Sequence, residues 1–130
     1  MSRSSARESV FKLVFEYLFN KEKDIDLLEE IINDEKNKNE IGYIKEVYNG
    51  VVSHHDEIIE EIKKVSEGFK IDRIFKVDLA ILVVAIYEMK YVSSIPNRVS
   101  VNEALNLAKM YSTEKSNSFI NGILSNFMGE

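Results

Sequence analysis

The segment from Val77 to Tyr87 constrains the fold of this chain more than any other part of the sequence. It reads VDLAILVVAIY and contains a single charged side chain, Asp78. Valine and isoleucine also suit a buried strand, but no second segment offers a partner strand, and one proline with five glycines is too few for a series of hairpins. A helix that is apolar on every side lies at the centre of a fold. We therefore predict a central helix from Asp72 to about Tyr91.

Apolar residues recur at helical spacing through the N-terminal half and predict three helices there. Ser5 is expected to begin the first, because its spacing to Glu8 fits a capping box. Asp24 is expected to cap the second, and the polar run at 33–39 is expected to form a loop. The third is predicted as one long helix from about Glu40 to Glu67, since a single apolar stripe continues through seven turns.

Two helices are predicted after the central one. Ser100 and Glu103 fit a second capping box, and Ser112 or Thr113 is expected to cap the last helix. Gly122 would lie in the middle of that helix, where glycine costs about 1 kcal/mol relative to alanine. We therefore expect a close helix crossing at Gly122.

Six helices with short connections predict an all-α fold. At 130 residues the chain is long enough for one ordinary domain, 1–130, and we expect two packed three-helix groups at about 1–70 and 71–130.

The composition narrows the functional classes. The absence of cysteine excludes disulfides, a thiolate nucleophile and cysteine-based zinc sites, and it fits a cytoplasmic location. The N-terminus has no apolar core typical of a signal peptide, and the run from Leu79 to Tyr87 is shorter than the roughly 20 residues of a membrane span. A net charge of −5 argues against a general nucleic-acid coat, so any anion-binding surface must be a local patch.

No motif in the sequence supports an enzyme, a metal or a cofactor. His54 and His55 are adjacent on a predicted helix, so they do not face one site and cannot chelate a metal jointly. The acidic pairs lie opposite apolar faces and are expected to be solvated. Neither a glycine-rich phosphate loop nor a nucleophile elbow is present.

Two arginines near the N-terminus point to nucleic acid. Arg3 and Arg7 are four residues apart at the start of a predicted helix, whose N–H groups and dipole favour phosphate. Arginine also stacks on unpaired RNA bases. A structural ion pair of Arg7 with Glu103 or Glu8 is an equally good interpretation of the same residue.

Several segments together resemble the family of the transcription antitermination protein NusB over essentially the whole chain. The matching segments are Ala6-Arg7, Asp72-Arg73-Ile74, Val77-Asp78-x-Ala80-Ile81-Leu82, Ala85-x-Tyr87-Glu88-Met89, Ile95-Pro96-x-x-Val99-x-Val101-Asn102-Glu103-Ala104-x-x-Leu107-Ala108-Lys109 and Ser116-x-x-Phe119-Ile120-Asn121-Gly122-Ile123-Leu124. The resemblance implies the NusB-like fold of two roughly perpendicular three-helix bundles and a role without catalysis. It also implies pairing with the ribosomal protein NusE, binding of single-stranded boxA RNA from ribosomal RNA operons, and contact with other Nus factors and RNA polymerase.

The resemblance also implies which residues make the contacts. RNA contacts in the family map to the N-terminus and to the turn before the last helix, here Arg3, Ser4, Arg7, Lys115, Ser116 and Asn117. NusE docking maps to the central helix at Asp78 and Leu82. Asn102, Glu103 and Asn121 are expected to hydrogen-bond to neighbouring backbone or to Arg7 and so to position the RNA-binding turn.

The chain departs from the family pattern at two places. Its N-terminus has fewer arginines, so RNA binding by the protein alone is expected to be weak and less dependent on salt. Leu79 and Val83 stand where the family often has arginines, and they are expected to extend an apolar docking patch for NusE or for a second copy of the chain. Two alternatives are a homodimeric helical module with a masked RNA surface and a module related to the N-terminal domain of ribosomal RNA methyltransferases. The second is disfavoured, because the chain ends at Glu130.

Overall fold

The computed structural model describes residues 3–66 and 70–128, and within these ranges it contains helices and no strand. The all-α prediction is confirmed. The α-helices are α1 (Arg3–Asn20), α2 (Ile25–Ile32), α3 (Ile41–Ser53), α4 (His55–Val65), α5 (Lys76–Tyr91), α6 (Asn97–Tyr111) and α7 (Glu114–Leu124). Short 3-10 helices cover Glu35–Glu40, Ile71–Arg73 and Ser125–Phe127. None of the described helices is both long enough and apolar enough to cross a membrane.

Helix α5 is the centre of the molecule, as its sequence predicts. Every side chain from Asp78 to Glu88 is buried, and α5 packs against α1, α3, α4, α6 and α7. The helix begins at Lys76 and not at Asp72, because Ile71–Arg73 forms a separate 3-10 turn and Phe75 is extended, with φ −51° and ψ 136°. The remaining helices surround α5, with α1 against α2 and α3 on one side and α6 against α7 on the other.

The predicted long third helix is divided at His54. That residue has φ −109° and ψ 15°, which ends α3 at Ser53 and lets α4 begin at His55. Both parts keep the apolar stripe, since Ile44 in α3 and Ile58 in α4 are fully buried. The predicted end of the long helix at Glu67 lies outside the described residues.

The helix ends predicted from local sequence agree with the structure only in part. Asp24 caps α2, and its side chain accepts a hydrogen bond from the Leu27 N–H at 2.9 Å, as predicted. Ser5 lies inside α1, which begins at Arg3, so the predicted N-cap at Ser5 is wrong. The polar run at 33–39, predicted as a loop, contributes most of the 3-10 helix Glu35–Glu40.

Of the two caps predicted for the C-terminal helices, one is present and one is not. Thr113 caps α7, as predicted, and accepts a hydrogen bond from the Ser116 N–H at 3.2 Å. Helix α6 begins at Asn97, so Ser100 is a buried residue inside the helix and the predicted capping box with Glu103 is wrong.

The close helix crossing predicted at Gly122 occurs elsewhere. Gly122 is exposed, and a Cβ atom built on it would meet nothing within 4 Å. A Cβ on Gly50 would overlap the hydroxyl and ring of Tyr87, so Gly50 is the glycine that lets α3 approach α5.

Candidate nucleic-acid interface

The N-terminal end of α1 presents one arginine at the surface. The guanidinium of Arg3 lies 4.3 Å from the centre of the Tyr43 ring, and its Nε donates to Glu40 Oε1 over 2.7 Å. The side chain is half exposed. A guanidinium stacked on a ring and oriented by a carboxylate has little freedom left to lose on binding phosphate. Arg3 is therefore suited to anion binding, with Glu40 as an internal competitor.

The second arginine of α1, Arg7, lies inside the protein. It is 4% exposed, its Nε donates to Glu88 Oε2 over 2.8 Å, and its Nη1 lies 3.9 Å from Glu103 Oε1. Burial lowers the pKa of Arg7, but the hydrogen bond and charge of Glu88 outweigh burial and raise it. Direct RNA contact by Arg7 does not fit this position. The sequence allows Arg7 either to bind RNA or to form a structural ion pair. The structure shows the ion pair, and its main acceptor is Glu88.

Glu88 is the point at which four helices meet. Its carboxylate accepts hydrogen bonds from Arg7 of α1, from Tyr43 of α3 and, over 2.7 Å, from the Ser100 hydroxyl of α6. Burial, followed by the negative charge of Glu88, raises the pKa of Tyr43 far above its usual value. A carboxylate with several donors is well stabilised although it is almost fully enclosed. The Glu88 cluster (Arg7, Tyr43, Glu88, Ser100) therefore fixes the N-terminal end of α1 to the core.

Glu103 connects the surface to this cluster. It accepts a hydrogen bond from the Ser4 hydroxyl at 2.9 Å and lies near Arg7. Glu103 therefore makes an ion pair with Arg7 and a hydrogen bond with Ser4, and not the expected hydrogen bond to Arg7 or to neighbouring backbone. Asn102 and Asn121 are exposed, and neither side chain makes a hydrogen bond within residues 3–66 and 70–128. The expected positioning contacts of these two asparagines are absent from the described part of the chain.

Hydrogen bonds from two serine hydroxyls to Asp78 connect the region at the start of α7 to the start of α5. Asp78 is buried, and its carboxylate accepts hydrogen bonds from Ser112 at 2.6 Å and from Ser116 at 2.8 Å. Ser116 is therefore an internal contact and is unsuited to touching RNA. Lys115 is exposed and Asn117 is half-buried on the same turn. Asp78 acts here as an anchor for that turn.

The apolar partner patch expected on the central helix is not at the surface. Leu79, Leu82 and Val83 are buried in the hydrophobic core, and Asp78 is also buried. The prediction that Leu79 and Val83 extend a docking surface is wrong, because α5 is surrounded by neighbouring helices on every side. Their apolar character is explained by core packing.

An exposed apolar surface lies instead on α1. A groove of about 560 Å³ opens between α1, α2 and the start of α5, and its apolar lining is Phe11, Phe15, Leu27, Ile31, Val77 and Tyr111. The Phe15 ring is 5.0 Å from that of Phe19, which is 57% exposed. We call the groove together with Phe19 the α1 aromatic surface.

Tyr111 joins α1 to the region before α7. Its ring lies 5.0 Å from that of Phe11, and its hydroxyl donates to Glu8. The hydrogen bond to Glu8, assisted by burial, raises the pKa of Tyr111 to about 12. Since Tyr111 ends α6 two residues before Thr113, this contact ties the α7 cap to the first turns of α1.

The two adjacent histidines have separate surroundings. His54 packs against Tyr91, with 4.2 Å between ring centres, and His55 packs against Tyr17 at 5.6 Å. Among the described residues there is no group of three His, Cys, Asp or Glu side chains that could hold a metal ion.

Comparison with known proteins identifies the family. The model of the NusB family matches residues 4–129. A relative from Finegoldia magna, transcription antitermination protein NusB, is 43% identical over 129 residues, covering 98% of this chain and 94% of the relative. The chain belongs to the NusB family. A second NusB, from Natranaerobius thermophilus, is 46% identical over 128 residues and covers 95% of this chain and 92% of that relative.

Solved NusB structures share the fold. NusB from T. maritima superposes with a TM-score of 0.87 at 32% identity, covering 100% of this chain and 92% of that chain. A chain from the crystal structure of the antitermination factors NusB and NusE in complex with dsRNA gives a TM-score of 0.85 at 26% identity, covering 97% and 95% respectively. The predicted NusB-like fold is thereby confirmed.

Sequence reasoning missed three residues at this interface. Glu40 and Tyr43 contact Arg3 but follow it by about forty residues in the sequence, and nothing in their local pattern marks the contact. Phe75 is 60% exposed. Its position outside the apolar run from Val77 to Tyr87 is the one sequence signal that would have indicated it.

Proposed function

We propose that this chain is a transcription antitermination factor that binds boxA-type single-stranded RNA of ribosomal RNA operons together with NusE. The observation that carries the proposal is likeness over nearly the whole length to proteins named transcription antitermination protein NusB. The similarity to a chain from the complex of NusB and NusE with dsRNA supports NusE and RNA as partners. In this proposal the chain is a cytoplasmic, non-enzymatic adaptor without a cofactor, and it reaches RNA polymerase and other Nus factors through that complex.

Within this proposal the RNA-binding surface is formed by exposed and half-buried residues of two helix starts. Arg3 and Ser4 lie at the start of α1, and Lys115 and Asn117 lie in the first turn of α7. Arg7 and Ser116 are buried and act by holding these two turns in place. A single surface arginine at the N-terminus releases few counterions, so we propose weak binding by the chain alone.

We propose that NusE docks on the α1 aromatic surface. This surface combines a groove lined by six apolar or aromatic side chains with the exposed Phe19 ring. Exposed apolar patches of this kind mark sites of protein association. The charged residues around it, Lys12, Lys36, Glu16, Glu30 and Asp34, include both signs and would form a polar rim.

The experiment measures RNA binding by the chain, by NusE and by their mixture, on single-stranded and on double-stranded RNA. We expect the mixture to bind single-stranded boxA RNA more tightly than either protein alone. A mixture that binds no tighter than its better component would overturn the proposal. Sedimentation of the chain with and without RNA tests the homodimer alternative, which requires a dimer that RNA dissociates.

A further inference from the structure

A second groove lies where α5 begins beside α7. It has a volume of about 740 Å³, and its lining includes Ile74, Phe75 and Phe119 as apolar side chains with Arg73 and Lys115 as cations. It is separate from the α1 aromatic surface, with which it shares no lining residue. Neither of its two aromatic residues, Phe75 and Phe119, is among the residues that the sequence predicts to bind RNA or NusE.

Phe75 is exposed to an extent that core packing does not explain. The residue is extended directly before α5, and 60% of it is accessible to water. Phe119, on α7, lines the same groove and is half-buried. Unpaired bases stack on exposed aromatic rings such as that of Phe75, and the half-buried ring of Phe119 lines the same groove.

The two cations that line the groove are available to an anionic occupant. Arg73 and Lys115 are both exposed, and neither makes an ion pair within the described ranges 3–66 and 70–128. Two acidic residues also line the groove. Asp78 is engaged by the hydroxyls of Ser112 and Ser116, whereas Glu114 lies in the first turn of α7. Two unpaired cations on a mostly apolar groove fit a base with its flanking phosphates better than they fit an apolar peptide.

We propose that this groove binds one unpaired RNA base, stacked on Phe75, with adjoining phosphates near Arg73 and Lys115. The inference rests on the proposed function and extends it, because it adds a base-binding position to the proposed RNA-binding surface. Stacking is tolerant of base identity, since every base has an aromatic face. Lys115 lines the groove and also belongs to the first turn of α7, so one RNA strand can contact the groove and that turn.

The test replaces Phe75 and follows binding of single-stranded RNA that contains the fluorescent base 2-aminopurine, with NusE present. Phe75→Leu keeps an apolar side chain but removes the aromatic face. We expect it to weaken RNA binding roughly tenfold and to abolish quenching of 2-aminopurine. Phe75→Tyr should retain both. Met110→Leu is the matched control, because Met110 is 59% exposed but lies on α6 and lines neither groove, and it should leave the quenching unchanged.

A second variant gives an independent measurement. The chain contains no tryptophan, so Phe75→Trp introduces a single reporter, and RNA should quench its fluorescence. Unchanged RNA affinity and quenching in Phe75→Leu, or unchanged tryptophan fluorescence in Phe75→Trp, would overturn the base-binding site while leaving the proposed function intact. Weaker binding of NusE with unchanged contacts to RNA would assign the groove to a protein partner. Absence of RNA binding by the native chain with NusE would reject the proposed function itself.

Discussion

Arg7 and Glu88 form a buried ion pair across 81 residues of sequence, with 2.8 Å between Nε and Oε2. The pair joins α1 to the central helix α5 and is completed by hydrogen bonds from Tyr43 and Ser100. Removing one partner of such a pair leaves a buried charge without compensation, which is far more costly than losing a surface pair. The Glu88 cluster is therefore expected to determine both stability and the position of the N-terminal end of α1.

Glu88→Gln should lower the free energy of unfolding by about 3 kcal/mol, because Arg7 keeps its charge but loses its buried carboxylate. Urea unfolding of the native and variant proteins measures this difference. The matched control is Glu61→Gln, whose carboxylate makes surface ion pairs with Lys64 at 3.8 Å and Lys90 at 3.7 Å and should lower stability by less than about 1 kcal/mol. Equal effects of the two variants would contradict the assigned importance of the buried pair.

Tyr43 should make stability depend on alkaline pH. Its pKa is raised in the folded protein by burial and by Glu88, so the folded state keeps the phenol proton at a pH where the unfolded state loses it. Stability is therefore fully present below the ordinary tyrosine pKa of about 10 and falls as pH rises above it. Urea unfolding at increasing pH measures the fall, and Tyr43→Phe should reduce its slope. A slope identical in Tyr43→Phe would show that other groups cause the loss.

Two glycine substitutions should change stability in opposite directions. Gly50→Ala places a methyl group against the Tyr87 ring at the contact between α3 and α5, and it should destabilise the protein by about 1–3 kcal/mol. Gly122→Ala adds a methyl group in open space on α7 and should stabilise by up to about 1 kcal/mol through helix propensity. Thermal unfolding of both variants provides the comparison, and destabilisation by Gly122→Ala would contradict the described exposure of that residue.

These glycines illustrate what the sequence could and could not predict. The helical class and the central position of α5 were predictable, because the spacing of apolar residues directly reflects burial. The break at His54 was not, since neither proline nor glycine marks it. The sequence also led to a misplaced partner surface at Leu79 and Val83, although the uniformly apolar helix already indicated that both would be buried.

The candidate site was less predictable than the fold, because its contacts join residues that are far apart in the sequence. Helix periodicity is a local property, whereas the contacts that decide the role of Arg7 come from residues on three other helices. The sequence identified Arg7 as an important residue and Glu103 as one of its partners. It did not indicate Glu88 as the main partner of Arg7, because an acidic residue near the end of a helix is ordinarily expected in solvent.

Arg3 and Glu40 should have opposite effects on RNA binding. Arg3→Ala removes the one arginine of α1 that is exposed, so it should weaken binding and lower the magnitude of the salt slope by about 1. Glu40→Gln removes the carboxylate that competes for Arg3 and should tighten binding. Titrations at several salt concentrations measure both, with Lys63→Ala on α4 as a control for general loss of positive charge. A salt slope unchanged by Arg3→Ala would place the phosphate contacts elsewhere.

Read-through of a terminator in a reconstituted transcription reaction tests the central claim most directly. The template carries a boxA sequence upstream of the terminator, and read-through is compared with and without this chain in the presence of NusE and the other Nus factors. We expect the chain to increase read-through on the boxA template and to have no effect when boxA is scrambled. Equal read-through with and without the chain, or an increase that does not depend on boxA, would contradict its assignment as an antitermination factor.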